Sequence, residues 1–184
     1  MLTNNSSKFM IMKVCRQIVA EEGIAGLNMR KVAKRTNLAI GSIYYYFPSK
    51  DDLLIASIES VWDDIFRLDE VDLGKIKLSE YIDLTYTNIK NGVEKYPNFL
   101  NIHSMSFSTK KDKKARLVMD DYLRELKGNI IEILLHDTDI RKDVFDDDFK
   151  QEDFADFIIT NIISLWLSQK SADFMIKMIE KILY

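Results

Sequence analysis

The chain has 184 residues, 47% of them hydrophobic, with two prolines, six glycines and a formal net charge of −3. That suits one compact unit, or two small ones sharing a core, with long stretches free to be helical. The single cysteine excludes an intramolecular disulfide, and no Cys/His cluster has zinc spacing. There is no secretory apolar region behind a basic start and no apolar run of about 18 residues that could span a bilayer, so a cytoplasmic protein without metal or cofactor is expected.

Asn28 to Lys50 reads as two short helices meeting at a tight turn. Asn28 is an N-cap type for the first, its side-chain oxygen able to accept a free backbone N–H. Met29, Val32 and Ala33 recur at helical spacing, leaving Arg30, Lys31, Lys34 and Arg35 outside. Asn37 tolerates the left-handed conformation of a sharp turn. A second short helix, about 39–46, is expected to bury Leu38, Ile43 and Phe47 and to turn Ser42 and Tyr45 outward. Helix, turn, helix with a basic flank is the outline of a DNA reader. Charge agrees with it. Residues 1–60 hold eight basic against five acidic side chains, a balance of +3, and the rest hold 18 against 24, a balance of −6.

Gly-Ser-Ile-Tyr-Tyr-Tyr-Phe-Pro-Ser-Lys over residues 41–50, followed by Asp51, Asp52, Leu53 and Leu54, closely resembles the recognition-helix signature of the tetracycline-repressor (TetR) family of bacterial transcription regulators. Ile11, Val14, Cys15, Ile18, Val19 and Gly23 fit that family's first helix and its terminating glycine, and Val32 and Ala33 fit the Ile-Ala pair of its second. Two positions depart from the pattern. Asn28 stands where the family usually has Thr and can cap equally well; Ala39 stands where it often has Ser and cannot, so the recognition helix is expected to lack a side-chain cap. Cys15 occupies a position where the family has a small Ala and reads as a packed, inert thiol.

The resemblance implies an all-α protein: a helix-turn-helix head over residues 1–50, joined by a long helix to a helical body over 51–184 that binds effectors and dimerises. It implies phosphate contacts for Tyr44, Tyr46 and Lys50. Asn28 could add another at a helix start whose free N–H groups favour an anion. Ser42, Tyr45 and Arg30 are the candidates for base edges, and Gly41 allows close approach to DNA. Ala39 and Ile40, apolar at the helix tip, suit the thymine methyl group and so A·T pairs.

Further along, Ser49 with Asp52 has the form of a capping box and opens a long helix through Leu53, Ile58, Trp62, Ile65 and Phe66. Residues 69–78 break it, with Gly74. Ser79 is expected to start a helix through Ile82, Tyr86, Ile89 and Val93 that ends near Pro97. Asn98 to Ser108 reads as a short helix. The lysine run at 110–114 begins or precedes a long helix through Leu117, Tyr122, Leu126, Ile130 and Ile133. Two final helices, about 151–169 and 172–183, close the chain. The first has apolar residues beyond one stripe and so packs on more than its own body. The resemblance makes that second surface a two-fold interface, with Phe157, Leu165, Trp166, Phe174 and Met178 its candidates.

An effector pocket, where one exists, would draw its walls from Trp62, Phe66, Tyr86, Phe99, His103, Met105, Phe107, Met119, Tyr122, Phe157, Asn161 and Trp166. The expected partners are operator DNA, a second copy of the chain and a small hydrophobic effector that releases the DNA, with no membrane. The alternative is a DNA-binding dimer controlled by a protein partner or by its own abundance. An enzyme is not expected: two histidines, no glycine-rich phosphate loop and no nucleophile–base set offer no chemistry.

Overall fold

A computed structural model describes residues 4–66, 68, 71–97 and 112–184. The described residues form eight α-helices and no strand: α1 Asn4–Glu22, α2 Met29–Thr36, α3 Ile40–Tyr46, α4 Lys50–Phe66, α5 Leu78–Lys95, α6 Asp112–His136, α7 Gln151–Leu167 and α8 Asp173–Leu183, with a 3-10 turn at Ile24–Gly26. No described helix is long and apolar enough to cross a membrane. The helices divide into two compact units, Met1–Ile65 with Gly92–Val118 and Phe66–Asn91 with Met119–Tyr184. The short helix expected at 98–108 lies outside the described residues, as do the first two lysines of the run at 110–114.

In the first unit α1 buries Ile11, Cys15, Ile18 and Val19, one stripe at helical spacing. Burial pushes the Cys15 thiol up to about 11 against the opposing hydrogen bond to Ser57, so the sulfur stays protonated and inert. Gly23 ends α1 with φ 70°, a conformation that costs a glycine nothing. α2 buries Met29, Val32, Ala33 and Thr36, the last by donating its hydroxyl to the Val32 carbonyl at 2.8 Å. α4 opens on a reciprocal capping box: the Ser49 N–H donates to Asp52 Oδ2 at 3.0 Å and the Asp52 N–H to Ser49 Oγ at 3.1 Å.

Gly92 brings α5 hard against α4, since a Cβ there would meet Ile65 Cγ1 at 2.5 Å. Beside that contact Asp64 accepts hydrogen bonds from Lys95 Nζ at 2.5 Å and from the buried Tyr96 hydroxyl at 2.8 Å. Burial raises the Asp64 carboxyl, but these two donors outweigh it and hold the group below the ordinary carboxylate range. Arg16 of α1 donates to Ser60 Oγ of α4 at 2.5 Å, which ties the first helix to the fourth.

The second unit has its own core of Leu78, Ile82, Leu126, Ile130, Ile133, Phe154, Ile158, Ile162 and Ile179. Ser79 does not cap α5: the helix starts one residue earlier, and the buried Ser79 hydroxyl donates to Glu180 of α8. At the end of α8, where carbonyls lack intrahelical partners, Arg141 donates from its guanidinium to the Ile182 carbonyl at 2.8 Å and from its N–H to Leu183 at 2.9 Å. Phe145 and Phe149 stack, and Phe154 meets both at steep angles with all ring centroids within 6 Å, which seats the acidic loop before α7. Leu117, expected on the apolar side of its helix, is 61% exposed, near the start of α6.

Candidate nucleic-acid interface

The turn between α2 and α3 is built from local chemistry. Asn28, in an extended conformation, accepts the Lys31 N–H at 2.9 Å and so satisfies one of the free donors of α2. Asn37 closes the helix with φ 55°, and the Leu38 N–H returns to the Ala33 carbonyl at 3.1 Å. Ala39 precedes α3 without any side-chain cap, the Ser42 N–H bonding the Ala39 carbonyl instead. α3 has only seven residues, too few to hold a helix in water alone. Ile43 and Phe47, at 0% and 3% exposure, supply the anchor, each worth about 1.5–3 kcal/mol of burial. Leu38, expected to be buried with them, is only half-buried because it lies in the turn itself, before the helix has come round to the core.

What the anchor leaves outside is unusual for a helix this small. Tyr45 is 72% exposed, Tyr44 48% and Ile40 42%; Ala39 and Gly41 are exposed too, and Ser42 is half-buried. Tyr46 is half-buried, its ring edge-on to Tyr45 with centroids 5.1 Å apart. A Cβ added at Gly41 would meet nothing within 4 Å. The fold therefore gives no internal reason for that glycine.

The basic flank splits into two kinds. Lys31 pairs with Glu22, and Arg35 reaches Glu21 Oε2 at 2.6 Å and Glu22 Oε1 at 3.1 Å. Arg30, Lys34 and Lys50 are exposed and have no ion-pair partner among the described residues.

The described body residues named as pocket walls are divided between the two units. Trp62 is 1% exposed within the first unit. In the second unit Phe66 stacks on Tyr122 at 5.7 Å, and the Tyr86 hydroxyl donates to the Lys170 carbonyl. Met119 is half-buried at the start of that unit's share of α6. Phe157 and Asn161 line a groove of about 160 Å³ along α7 and α8, together with Leu165, Phe174, Met178 and Ile182. Two expected pocket residues thus share a groove with three expected interface residues. Trp166, the fifth candidate for the interface, is half-buried. Phe99, His103, Met105 and Phe107 lie outside the described residues.

Residues 11–57, which run from the buried stripe of α1 through α3 into α4, match the family described as bacterial regulatory proteins, tetR family. Over those residues the chain is similar to the tetR family. An uncharacterised HTH-type transcriptional regulator of Haemophilus influenzae is 38% identical over 61 residues, a stretch covering 33% of each chain. The HTH-type transcriptional repressor KstR of Rhodococcus jostii is 23% identical over 155 residues, 84% of this chain and 70% of that one. The crystal structure of the multidrug binding protein EbrR complexed with imidazole superposes with a TM-score of 0.61 at 17% identity, over 96% of this chain and 89% of that one. At that identity the likeness concerns the fold alone, an all-helical architecture with the helix-turn-helix at its N-terminal end.

Within this head the sequence shows the caps and the turn directly, and the acidic side of the ion-pair cluster only faintly. Glu21 and Glu22 end α1, and the 3-10 turn folds them against α2; a Cβ on Gly26 would meet Glu22 Cβ at 2.6 Å. The signal was present as two adjacent glutamates upstream of a Lys and an Arg four apart, a spacing that puts both cations on one helix face.

Proposed function

We propose that this chain is a DNA-binding transcriptional regulator, a homodimeric repressor that a small hydrophobic effector releases from a palindromic operator. One observation carries the DNA reading: a seven-residue helix pinned from behind presents Tyr44, Tyr45, Ile40 and an open-sided Gly41 outward, with cations at Arg30, Lys34 and Lys50 that have no ion-pair partner among the described residues. Large aromatics left so exposed, beside a glycine with open space at its side, fit a surface made to meet a groove.

In this reading α3 enters the major groove. Tyr44, Tyr46 and Lys50 hold phosphates and set the register. Asn28 can join them, because its oxygen is used on the Lys31 N–H while its amide N–H groups are left to donate. Ser42, Tyr45 and Arg30 address base edges, and Ala39 and Ile40 meet thymine methyls at the helix tip.

The groove on α7 and α8, lined by Phe157, Leu165, Phe174 and Met178, is together with Trp166 of α7 the proposed two-fold interface. Its overlap with Phe157 and Asn161 favours assigning those two to the interface, which leaves, as the described candidates for an effector wall, Trp62 in the first unit and Phe66, Tyr86, Met119 and Tyr122 in the second. Repression and effector release rest on likeness to relatives named as a repressor and as a multidrug binding protein. Release requires the effector to bind one of two states better than the other. A mobility-shift assay on the DNA upstream of the protein's own coding sequence tests the whole reading. The shift should appear without additives and disappear with a subset of hydrophobic compounds. A shift that no such compound reverses would favour control by a protein partner or by abundance. No shift at low salt would reject DNA binding.

A further inference from the structure

The unusual feature of α2 is that half of its positive charge is already spent. Lys31 and Arg35 stand one turn apart and both face Glu21 and Glu22 at the end of α1. Glu22 is the centre of the cluster, taking Lys31 on one oxygen and Arg35 on the other. Its position is fixed by the backbone, since Gly26 leaves room for it and no larger residue would. The Lys31 hydrogen bond, first among the causes, holds its carboxyl below the ordinary range.

We propose that Glu21 and Glu22 withhold Lys31 and Arg35 from the DNA backbone, so that this head engages phosphates with fewer cations than its sequence carries. The inference rests on the DNA-binding reading above. All four side chains are partly exposed, and exposed pairs add little to stability. The cluster's main consequence is therefore electrostatic. A cation that touches a phosphate releases a counterion and adds to the salt dependence of binding; a cation already neutralised by a neighbouring carboxylate does not. Arg30, Lys34 and Lys50 remain to carry that dependence. A head tuned in this way binds DNA less tightly than it could, which keeps release within reach of a modest change in state.

The test is the slope of log affinity against log salt on a random-sequence duplex, for wild type and two variants checked for folding by circular dichroism. Glu21→Gln with Glu22→Gln frees both cations and should steepen the slope by up to about two per head, with tighter binding at low salt. Adding Lys31→Gln and Arg35→Gln to that variant removes the whole cluster without changing net charge and should restore the wild-type slope. A fourfold variant flatter than wild type by about two would mean that Lys31 and Arg35 already touch phosphates, and the inference would fall. It would fall equally if the double variant matched wild type; the single change Glu22→Gln, at the centre of the cluster, gives the same reading should the double variant not fold. Wild-type protein that bound no duplex would instead remove the DNA-binding reading, and the inference with it.

Discussion

The outward sides of α3 and of the α7–α8 pair both expose aromatic rings, but they are chemically different surfaces. On α3 the rings are tyrosines, their neighbours are Gly41 and Ser42, and cations with no ion-pair partner among the described residues stand on the same small head. On α7 and α8 they are phenylalanines, Phe157 at 49% and Phe174 at 75% exposure, beside an exposed Leu167 and a groove whose polar lining is Asn161 and Ser171 alone. A phenol pairs an apolar body with a hydrogen-bonding tip and tolerates water; a phenyl ring does not. The first surface suits a hydrated polyanion with apolar methyl groups in its groove. The second is the face proposed for association, in keeping with the tendency of large exposed apolar patches to be contact sites.

The harshest way to break this contrast is to charge the apolar side. Leu165→Asp would leave a carboxylate buried at the centre of the proposed interface with no counter-charge, and the dimer should split. Two heads on one operator gain avidity from being linked, so the monomer should lose about 10²–10⁴-fold in operator affinity while its fold survives. Two-fold symmetry also requires a palindromic operator, with half-sites about 34–36 Å apart or a multiple of that. Sedimentation and a binding titration read both effects. Wild-type protein that sediments as a monomer and still binds its operator would refute the assignment.

Much of the α3 side could be read from residues in order because its determinants are local. Asn28 caps three residues ahead, Asn37 turns where it stands, and Ser49 and Asp52 complete a reciprocal cap within one turn. The apolar excess of α7 was equally legible: Phe154, Ala155, Ile158, Ile159 and Ile162 form its buried stripe, and Phe157 and Leu167 lie exposed outside it. What stayed hidden depends on distant partners. Ser79 has the composition of a helix start, yet its hydroxyl is taken by Glu180, a residue 101 positions away. Gly92 reads as a helix weakness until Ile65 is found against it. Which basic residues of α2 are free could not be told from the sequence pattern, because the glutamates that occupy two of them arrive by a turn in the chain.

The next sharpest test lies within α3. Replacing Tyr45 or Ser42 by alanine removes a group proposed to reach base edges, at a cost of roughly 1–3 kcal/mol per lost base contact. The cost should fall on particular base pairs, so the selected binding consensus changes. An unchanged consensus for both variants would move these side chains off the bases. Lys50→Ala should behave in the opposite way, weakening all sequences about equally and lowering the salt slope by about one. A shifted consensus with an unchanged slope would mean that Lys50 reads sequence and does not hold phosphate.

Gly41 gives the smallest effect and the cleanest separation of fold from function. It sits inside α3, where alanine is the better helix former by up to about 1 kcal/mol. A methyl group placed there meets nothing within 4 Å, so the folded protein has no steric objection to it. Gly41→Ala should therefore raise the melting temperature slightly. If the backbone of α3 lies close to DNA, the same methyl intrudes on that contact and binding weakens at every sequence. Stability and affinity then move in opposite directions through one carbon atom. A variant that gains stability and binds as tightly as wild type would show that the helix does not approach DNA at this point, and the docking of α3 would have to be turned about its axis.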